Sequence, residues 1–190
     1  MFKIVLATSN SHKVEEINAI TKDLGIEFIL PPEGFNPDEN GKTFEENALI
    51  KAKEANRLTN MPSLADDSGL CVDALDGGPG IYSCRYADTP KARIEKLLNE
   101  LKDVPAQKRG AYFVCAMVLL DKNGEILFSD RGECHGSIGF EPKGTKGFGY
   151  DPVFVVEGLN LTMAELTEEE KNKISHRALA LQKVISFINS

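Results

Sequence analysis

The sequence predicts an α/β fold in which helices flank a mixed β-sheet. Strand-like and helix-like segments alternate over the first half of the chain, a pattern typical of β-α units. A hairpin is then predicted in the middle, because Asn123-Gly124 separates two strand-like runs. Since a hairpin joins antiparallel strands, the sheet is expected to be mixed rather than purely parallel.

The first part of the chain follows this plan in order. We predict a buried strand at 2–7, a helix at 14–24 and a second strand at 26–30. A polar loop at 33–42 and a second helix at 44–58 follow. Gly25 ends the first helix, and Pro31-Pro32 ends the second strand. Thr43 and Glu46 predict a capping box, in which Thr43 accepts from the amide three residues on and Glu46 reaches back.

The remaining elements are assigned in the same way. We predict a strand at 62–65, a helix at 89–101, the hairpin at 111–129 and a strand at 153–156. Two further helices are predicted to begin at 167 and at 175. The first of these strands is expected to end at Asp66-Asp67-Ser68-Gly69, and Leu70–Leu75 is a candidate to continue the sheet. A capping box is predicted at Thr167–Glu170, and Ser175 is expected to cap the last helix.

Composition excludes several kinds of partner. The 190 residues include 22 basic and 29 acidic side chains, a net charge of −7, which disfavours nucleic-acid polymers and anionic membranes because both select a basic face. The length fits one domain over 1–190. No apolar run is long enough for a membrane span or a signal-peptide core, so we expect a cytoplasmic protein. Reduced thiols, rather than a zinc or redox site, are predicted for the widely spaced Cys71, Cys84, Cys115 and Cys134.

Two segments in the first half could serve phosphate chemistry. One segment offers hydroxyls, a side-chain amide, a lysine and backbone amides at a helix start, which together suit a phosphate chain. Its residues are Thr8, Ser9, Asn10, Ser11, His12 and Lys13. The alternative is that this segment only begins a well-capped helix. Asp66 and Asp67 suit a divalent cation or a general base, and the alternative is an acidic turn. Because neighbouring strand side chains point to opposite faces, only one is expected to face a site. Further acidic candidates are Glu39, Glu45 and Glu46.

Two segments in the second half could hold a planar ring and an anion. In Gly144–Pro152, glycines allow close backbone approach, Phe148 and Tyr150 offer ring faces, and Asp151 can accept from ring N–H groups. The alternative is a glycine-rich turn with its aromatics in the core. Three side chains near a helix start can donate to an anion or a carbonyl oxygen, namely Lys171, His176 and Arg177. The alternative is ordinary surface charge around a helix cap.

Six motifs occur in a fixed order: Ser9-Asn10-x-x-Lys13, Thr43-Phe44-Glu45-Glu46-Asn47-Ala48, Ala65-Asp66-Asp67-Ser68-Gly69-Leu70, Pro79-Gly80-Ile81-Tyr82-Ser83-x-Arg85-Tyr86-Ala87, Gly147-Phe148-Gly149-Tyr150-Asp151-Pro152 and Ile174-Ser175-His176-Arg177. Together they resemble the non-canonical purine nucleoside triphosphate pyrophosphatases, also called inosine triphosphate pyrophosphatases. The resemblance runs nearly end to end. It implies an elongated α/β fold with two lobes around a central cleft, and a homodimer.

The resemblance also implies a reaction. Members hydrolyse the bond between the α- and β-phosphates of ITP, dITP and XTP, giving the monophosphate and pyrophosphate with Mg²⁺ as cofactor. The implied role is removal of deaminated purines from the nucleotide pool. By position, Asp67 matches the proton acceptor and a magnesium ligand, Glu39 a second magnesium ligand, and Ser68 a substrate contact. Substrate-binding positions are matched by Thr8–Lys13, Phe148, Gly149, Tyr150, Asp151, Lys171, His176 and Arg177.

Several assignments stay open at this stage. His12 stands where the family's first loop often has glycine. Asp66 is the alternative base, Glu46 is a further acidic candidate for the metal, and the candidates to hold departing pyrophosphate are Lys13, Lys51 and Lys53. Other possible functions are a non-catalytic nucleotide sensor and a pyrophosphatase for modified pyrimidine nucleotides.

Overall fold

Contacts divide the chain into two compact units. The computed structural model describes residues 2–9, 14, 15, 17, 18 and 21–190. The first unit comprises Met1–Asp67, Cys115–Arg131 and Ala180–Ser190, and the second comprises Ser68–Val114 and Gly132–Leu179. A single domain over the whole length stays a prediction.

A mixed six-stranded sheet confirms the predicted fold class. The strands are β1 (Phe2–Leu6), β2 (Ile26–Ile29), β3 (Ser63–Val72), β4 (Gly110–Leu120), β5 (Ile126–Ile138) and β6 (Phe154–Val156). Their order is β2-β1-β3-β4-β5-β6. β1 pairs in parallel with β2 and β3, whereas β5 and β6 are antiparallel.

The helices begin where the sequence places caps. They are α1 (Phe44–Thr59), α2 (Pro90–Glu100), α3 (Glu168–Ile174) and α4 (His176–Ile188), and residues 14, 15, 17, 18 and 21 are also helical. The capping box at Thr167 is confirmed, and Ser175 Oγ accepts from Ala178 N. At α1 only half of the box forms, because Glu46 accepts from the backbone N of Lys42 instead of Thr43. No helix among the described residues is long and apolar enough to cross a membrane.

Small side chains bring α1 close to the sheet in the first unit. Ala48, Ala52 and Ala55 are fully buried against residues of β1, β3 and β4. Alanine stabilises the helix and leaves room for close backbone approach. This packing places one face of α1 against the first half of β3, from Ser63 to Asp67. The other core of this unit contains Ile4, Leu6, Phe28, Leu64, Met117 and Val184, among others.

The second unit has its own apolar core and a buried arginine. Leu70, Leu97, Phe113 and Phe154 belong to the core. Arg109 is 2% exposed, and its guanidinium donates to backbone carbonyls of Leu101, Val104, Ile138 and Gly139. These bonds satisfy a buried charge that would otherwise be costly.

Two strand boundaries differ from the predictions. The strand that was expected to end at Asp66 continues to Val72, so the acidic pair lies inside β3. β5 extends to Ile138, beyond the predicted end near Ser129. Both extensions contain polar residues that disfavour strands in isolation, and sheet pairing overrides that preference. All four cysteines are free, with Cys84 exposed and the other three buried.

Candidate active site

An acidic cluster forms in the first unit around Asp67. The Asp67 carboxylate accepts from Asn47 Nδ2 at 3.2 Å. Lys51, one helical turn after Asn47, lies with its Nζ 3.8 Å from Glu39 Oε2 and donates to the backbone O of Asp66 at 2.7 Å. The structure therefore brings together two predicted acidic residues, Glu39 and Asp67, with α1 beside them.

Burial changes the acidity of Asp67. Loss of solvent raises the pKa of Asp67 from 3.8 to about 6. The charge of Lys51 and the hydrogen bond from Asn47 oppose this rise, while the carboxylates of Glu39 and Asp66 add to it. A pKa near the working pH suits a general base, because the group is then ionised and still binds a proton well.

Asp66 is placed differently from its neighbour. It is 6% exposed, and successive strand side chains point to opposite faces. The Asp67 side chain is the one that contacts the α1 residue Asn47. Of the two aspartates, Asp67 is therefore the better placed beside Glu39 and Lys51.

Of the other charged candidates, some lie in the Asp67 cluster and others do not. Lys51 is largely buried within the cluster, whereas Lys53 is exposed to solvent. Glu46 accepts from the backbone N of Lys42, and Glu45 lies 3.6 Å from Arg131. Both glutamates thus have roles at the start of α1, leaving Glu39 as the acidic residue that joins Asp67.

Only the beginning of the phosphate-loop candidate is described. Ala7 N donates to Leu64 O, so Thr8 and Ser9 leave the sheet beside β3, shortly before Asp67. The candidate residues Asn10, Ser11, His12 and Lys13 lie outside the described residues.

The carboxylates fit a magnesium ion that also contacts phosphate. Within the described ranges, no group of three or more His, Cys, Asp or Glu side chains could hold a metal. Asp67 and Glu39 are close enough for the charge of Glu39 to raise the pKa of Asp67. Mg²⁺ commonly uses one or two carboxylates and takes its other ligands from phosphates and water. The pair therefore fits such an ion better than a resident metal centre.

A second cluster lies in the second unit and is organised by Asp151. The residue is 3% exposed, and its Oδ2 accepts from Phe148 N at 2.8 Å and from Lys171 Nζ at 2.5 Å. Gly147 and Gly149 have φ of 74° and 60°, which favour glycine. Because Oδ2 already has two donors, this oxygen serves the loop itself rather than the predicted ring N–H.

Phe148 presents an aromatic ring between cations. The residue is 62% exposed, with Lys171 Nζ 4.6 Å and Arg177 Cζ 5.7 Å from the ring centroid. An exposed aromatic face can stack a planar base, and the cations beside it can donate to carbonyl or phosphate oxygens. Three predicted site residues are thus brought together.

Two other predicted residues are buried in this unit. Tyr150 is 5% exposed in the core, and its hydroxyl donates to the Ser83 carbonyl at 2.8 Å. The predicted ring face is therefore wrong for Tyr150, which occupies the core as the alternative interpretation had it. His176 is 7% exposed and stacks on Phe113, with ring centroids 4.9 Å apart.

Ser68 has an unused hydrogen-bonding group. Its hydroxyl is buried and makes no hydrogen bond to any part of the chain that the structure describes. Buried polar atoms normally have partners, so an unsatisfied hydroxyl beside Asp67 suits a ligand contact.

Sequence reasoning gave no role to Asn47 or Phe113. Asn47 lies within the Thr43–Ala48 motif, but its contacts with Asp67 and Gly41 depend on tertiary packing. Phe113 was assigned only to a strand, and its stacking partner His176 is distant in sequence. The motif was the one available signal for Asn47.

Gly147→Ala is expected to disrupt the second cluster more than Gly149→Ala. Both glycines have positive φ, so each alanine costs about 1–2 kcal/mol in backbone strain. A Cβ at Gly147 would also meet the Asp151 carboxylate, whereas one at Gly149 meets nothing within 4 Å. Thermal unfolding should therefore show a larger loss for Gly147→Ala, and equal losses would contradict a packed carboxylate.

Comparison with known proteins identifies the family. The model of the Ham1 family matches residues 4–187, nearly the whole chain. The chain belongs to the Ham1 family. Among solved structures, a HAM1 protein from Coxiella burnetii is similar with a TM-score of 0.93 and 41% identity, covering 100% of this chain and 99% of that one.

Two curated relatives of the chain share one name. A protein of Exiguobacterium sibiricum named dITP/XTP pyrophosphatase is 49% identical, over 96% of this chain and 94% of its own length. One of the same name from Yersinia pseudotuberculosis is 46% identical over 99% and 98%. These matches confirm the family resemblance given by the six motifs.

Proposed function

We propose that this Ham1-family chain is an enzyme that hydrolyses ITP, dITP and XTP to the nucleoside monophosphate and pyrophosphate. The observation that carries the proposal is near full-length similarity to proteins named dITP/XTP pyrophosphatase. The two clusters support it, since one supplies a base and carboxylates and the other an aromatic face with cations. In this role the chain removes deaminated purines before they enter nucleic acid.

Asp67 is the residue we propose as general base. Its raised pKa, about 6, keeps it mostly ionised at neutral pH and able to take a proton from water. The water attacks the α-phosphorus as its proton moves to an Asp67 carboxylate oxygen. The bond from the α-phosphorus to the bridging oxygen breaks, and the bridging oxygen leaves with pyrophosphate.

Asp67 and Glu39 are the residues we propose to hold Mg²⁺ when substrate is present. The ion would supply positive charge to the phosphate oxygens. Lys51 donates to the Asp66 carbonyl and lies 3.8 Å from Glu39, and we propose it as one of the cations that contact a phosphate. Thr8, Ser9 and the loop through Lys13 are proposed to bind the remaining phosphates, as the family resemblance implies.

The second cluster is proposed to recognise the base. Phe148 stacks on the purine, while Lys171 and Arg177 supply donors near its ring. Hypoxanthine and xanthine carry a 6-oxo acceptor, whereas adenine carries an amino donor there. Two donors facing each other leave a hydrogen bond unmade, and such mismatches can reject a substrate by about 10⁴-fold. Ser68, with its unsatisfied hydroxyl, is a further proposed substrate contact.

Assembly is proposed from the family resemblance, whereas location and the lack of polymer binding are proposed from the apolar runs and net charge of the sequence. We expect a homodimer in the cytoplasm that binds no nucleic-acid polymer. Sedimentation velocity of the purified chain tests the dimer directly, and a monomer at micromolar concentration would contradict it.

A product assay tests the proposed reaction. The chain is incubated with Mg²⁺ and, separately, ITP, XTP, dITP, GTP, ATP and modified pyrimidine triphosphates, and pyrophosphate is measured against orthophosphate. We expect pyrophosphate from ITP, XTP and dITP, with much less from ATP. Binding without turnover would favour a sensor. Orthophosphate alone would indicate cleavage at the γ-phosphate, and pyrimidine preference would change the substrate class.

A further inference from the structure

A neutral buried side chain lies between the two elements that carry the acidic residues. Asn47 is 1% exposed and belongs to α1, one helical turn before Lys51. Residues four apart lie on the same helix face, so Asn47 and Lys51 approach β3 together. Lys51 bonds the Asp66 carbonyl, while Asn47 bonds the Asp67 side chain.

Both ends of the Asn47 carboxamide are used. Its Oδ1 accepts from Gly41 N at 2.8 Å, and its Nδ2 donates to Asp67 Oδ2 at 3.2 Å. A backbone N–H can only donate, so the amide oxygen has to face Gly41 and the NH₂ group then faces Asp67. The orientation of Asn47 is thus fixed by its partners.

The chain segment on the other side is held tightly. A Cβ at Gly41 would lie 2.7 Å from Asn47 Oδ1 and 2.8 Å from Glu46 Cβ. Lys42 N also donates to Glu46 at 2.6 Å. The segment that ends at Gly41 carries Glu39 two residues earlier. Asn47 therefore links the Glu39 segment to Asp67 through one side chain.

We propose that Asn47 is a positioning residue that fixes the Glu39 segment relative to the Asp67 carboxylate. The inference rests on the proposed function, which gives those two carboxylates to a metal and a proton. A neutral amide suits this position because it orients the carboxylate by a hydrogen bond and leaves its charge in place. A lysine there would neutralise that charge. Asn47 acts through Gly41 and Asp67.

Three variants separate the two hydrogen bonds from general stability. Asn47→Ala removes both bonds. Asn47→Asp keeps the shape and the acceptor for Gly41 but replaces the donor to Asp67 by a like charge. Asn56→Ala is the matched control, because Asn56 lies on the same helix and its Nδ2 donates to the backbone O of Met61 and Asp121.

The measurements are kcat, KM, Mn²⁺ affinity by calorimetry and hydrogen exchange of the Gly41 amide. For Asn47→Ala we expect kcat to fall about 10²-fold with a smaller change in KM, because a small misplacement of reacting groups has that effect. Its Gly41 amide should exchange about tenfold faster, as expected for loss of one hydrogen bond. Mn²⁺ binding should weaken.

Asn47→Asp should lower kcat while Gly41 exchange stays slow. Asn56→Ala should lower thermal stability and leave kcat, Mn²⁺ affinity and Gly41 exchange unchanged. Wild-type kcat and exchange in Asn47→Ala, or equal kcat losses in Asn47→Ala and Asn56→Ala, would overturn the proposal.

Two further provisions keep the test decisive. If Asn47→Ala does not fold, Gly41→Ala takes its place, because its methyl group displaces the same carboxamide. If the wild type shows no turnover, the proposed function fails, while exchange of the Gly41 amide still decides whether Asn47 links the two elements.

Discussion

Asp67→Asn is expected to lower kcat by about 10²–10⁴-fold, the usual contribution of a general base. The amide keeps the size of the side chain but cannot take a proton from water. Steady-state rates of pyrophosphate release from ITP measure the effect. Asp66→Asn is the comparison variant, because Asp66 is the alternative base. Near-normal turnover in Asp67→Asn, with the loss in Asp66→Asn instead, would reverse the assignment.

The same substitution should stabilise the metal-free protein at neutral pH. Asp67 has a pKa of about 6 when folded and 3.8 as its ordinary value, so the folded state binds the proton more tightly. Its contribution to stability is complete below pH 3.8 and is lost as the pH rises through 6. Asp67→Asn removes that loss, worth about 1–3 kcal/mol at pH 7.5.

Chemical denaturation at two pH values checks this sign. The gain in free energy of unfolding for Asp67→Asn should be present at pH 7.5 and should disappear near pH 4. Wild-type protein that is more stable than Asp67→Asn at pH 7.5, without metal, would contradict burial as the cause of the raised pKa. A catalytic carboxylate held at a cost in stability is typical of active sites.

Sequence patterns located the elements well where caps and turns decide them. Thr167 and Glu170 form the expected capping box, and the hairpin turns at Asp121–Gly124. The end of β3 was mispredicted, because Asp66 and Asp67 have low strand preference in isolation. Inside the fold, Asn47 and Lys51 of α1 give these residues polar partners, so the strand continues. Those partners come from residues distant in sequence.

The site was predicted by residue type and only partly by role. Phe148 and Tyr150 stand in the same glycine-rich segment, and their sequence context is nearly symmetrical. Tertiary packing sends the Tyr150 ring into the core and leaves Phe148 exposed. Asp151 Oδ2 likewise holds the loop and Lys171, a role that the sequence did not predict, and its contact with a ligand stays a prediction. Side-chain direction in a turn depends on the backbone, which residue type alone does not fix.

Asp151→Ala is expected to cause the largest loss of stability among the site variants. The side chains of Asp151 and Lys171 are 5% and 17% exposed, so removing the carboxylate leaves the largely buried Lys171 charge without its partner. Breaking such a pair costs about 3–5 kcal/mol. For a chain of this size, that corresponds to a fall in Tm of roughly 6–20 °C. The Phe148 N–H also loses its acceptor.

A comparison with Glu165→Ala separates the ion pair from the turn that it closes. Glu165 also accepts from the backbone N–H of Thr162, three positions earlier, and from the Thr162 hydroxyl, but it forms no salt bridge with any residue that the structure describes. Its removal should destabilise the protein less than Asp151→Ala does, because it leaves no buried charge without its partner. In Asp151→Ala, release of the Phe148 segment should also raise KM for ITP more than it lowers kcat.

The double variant Asp151→Ala with Lys171→Met should be less destabilised than the sum of the two single variants, because it removes both charges. Additive losses in calorimetry would show that the two charges do not interact, and the ordering of this loop would then need another cause.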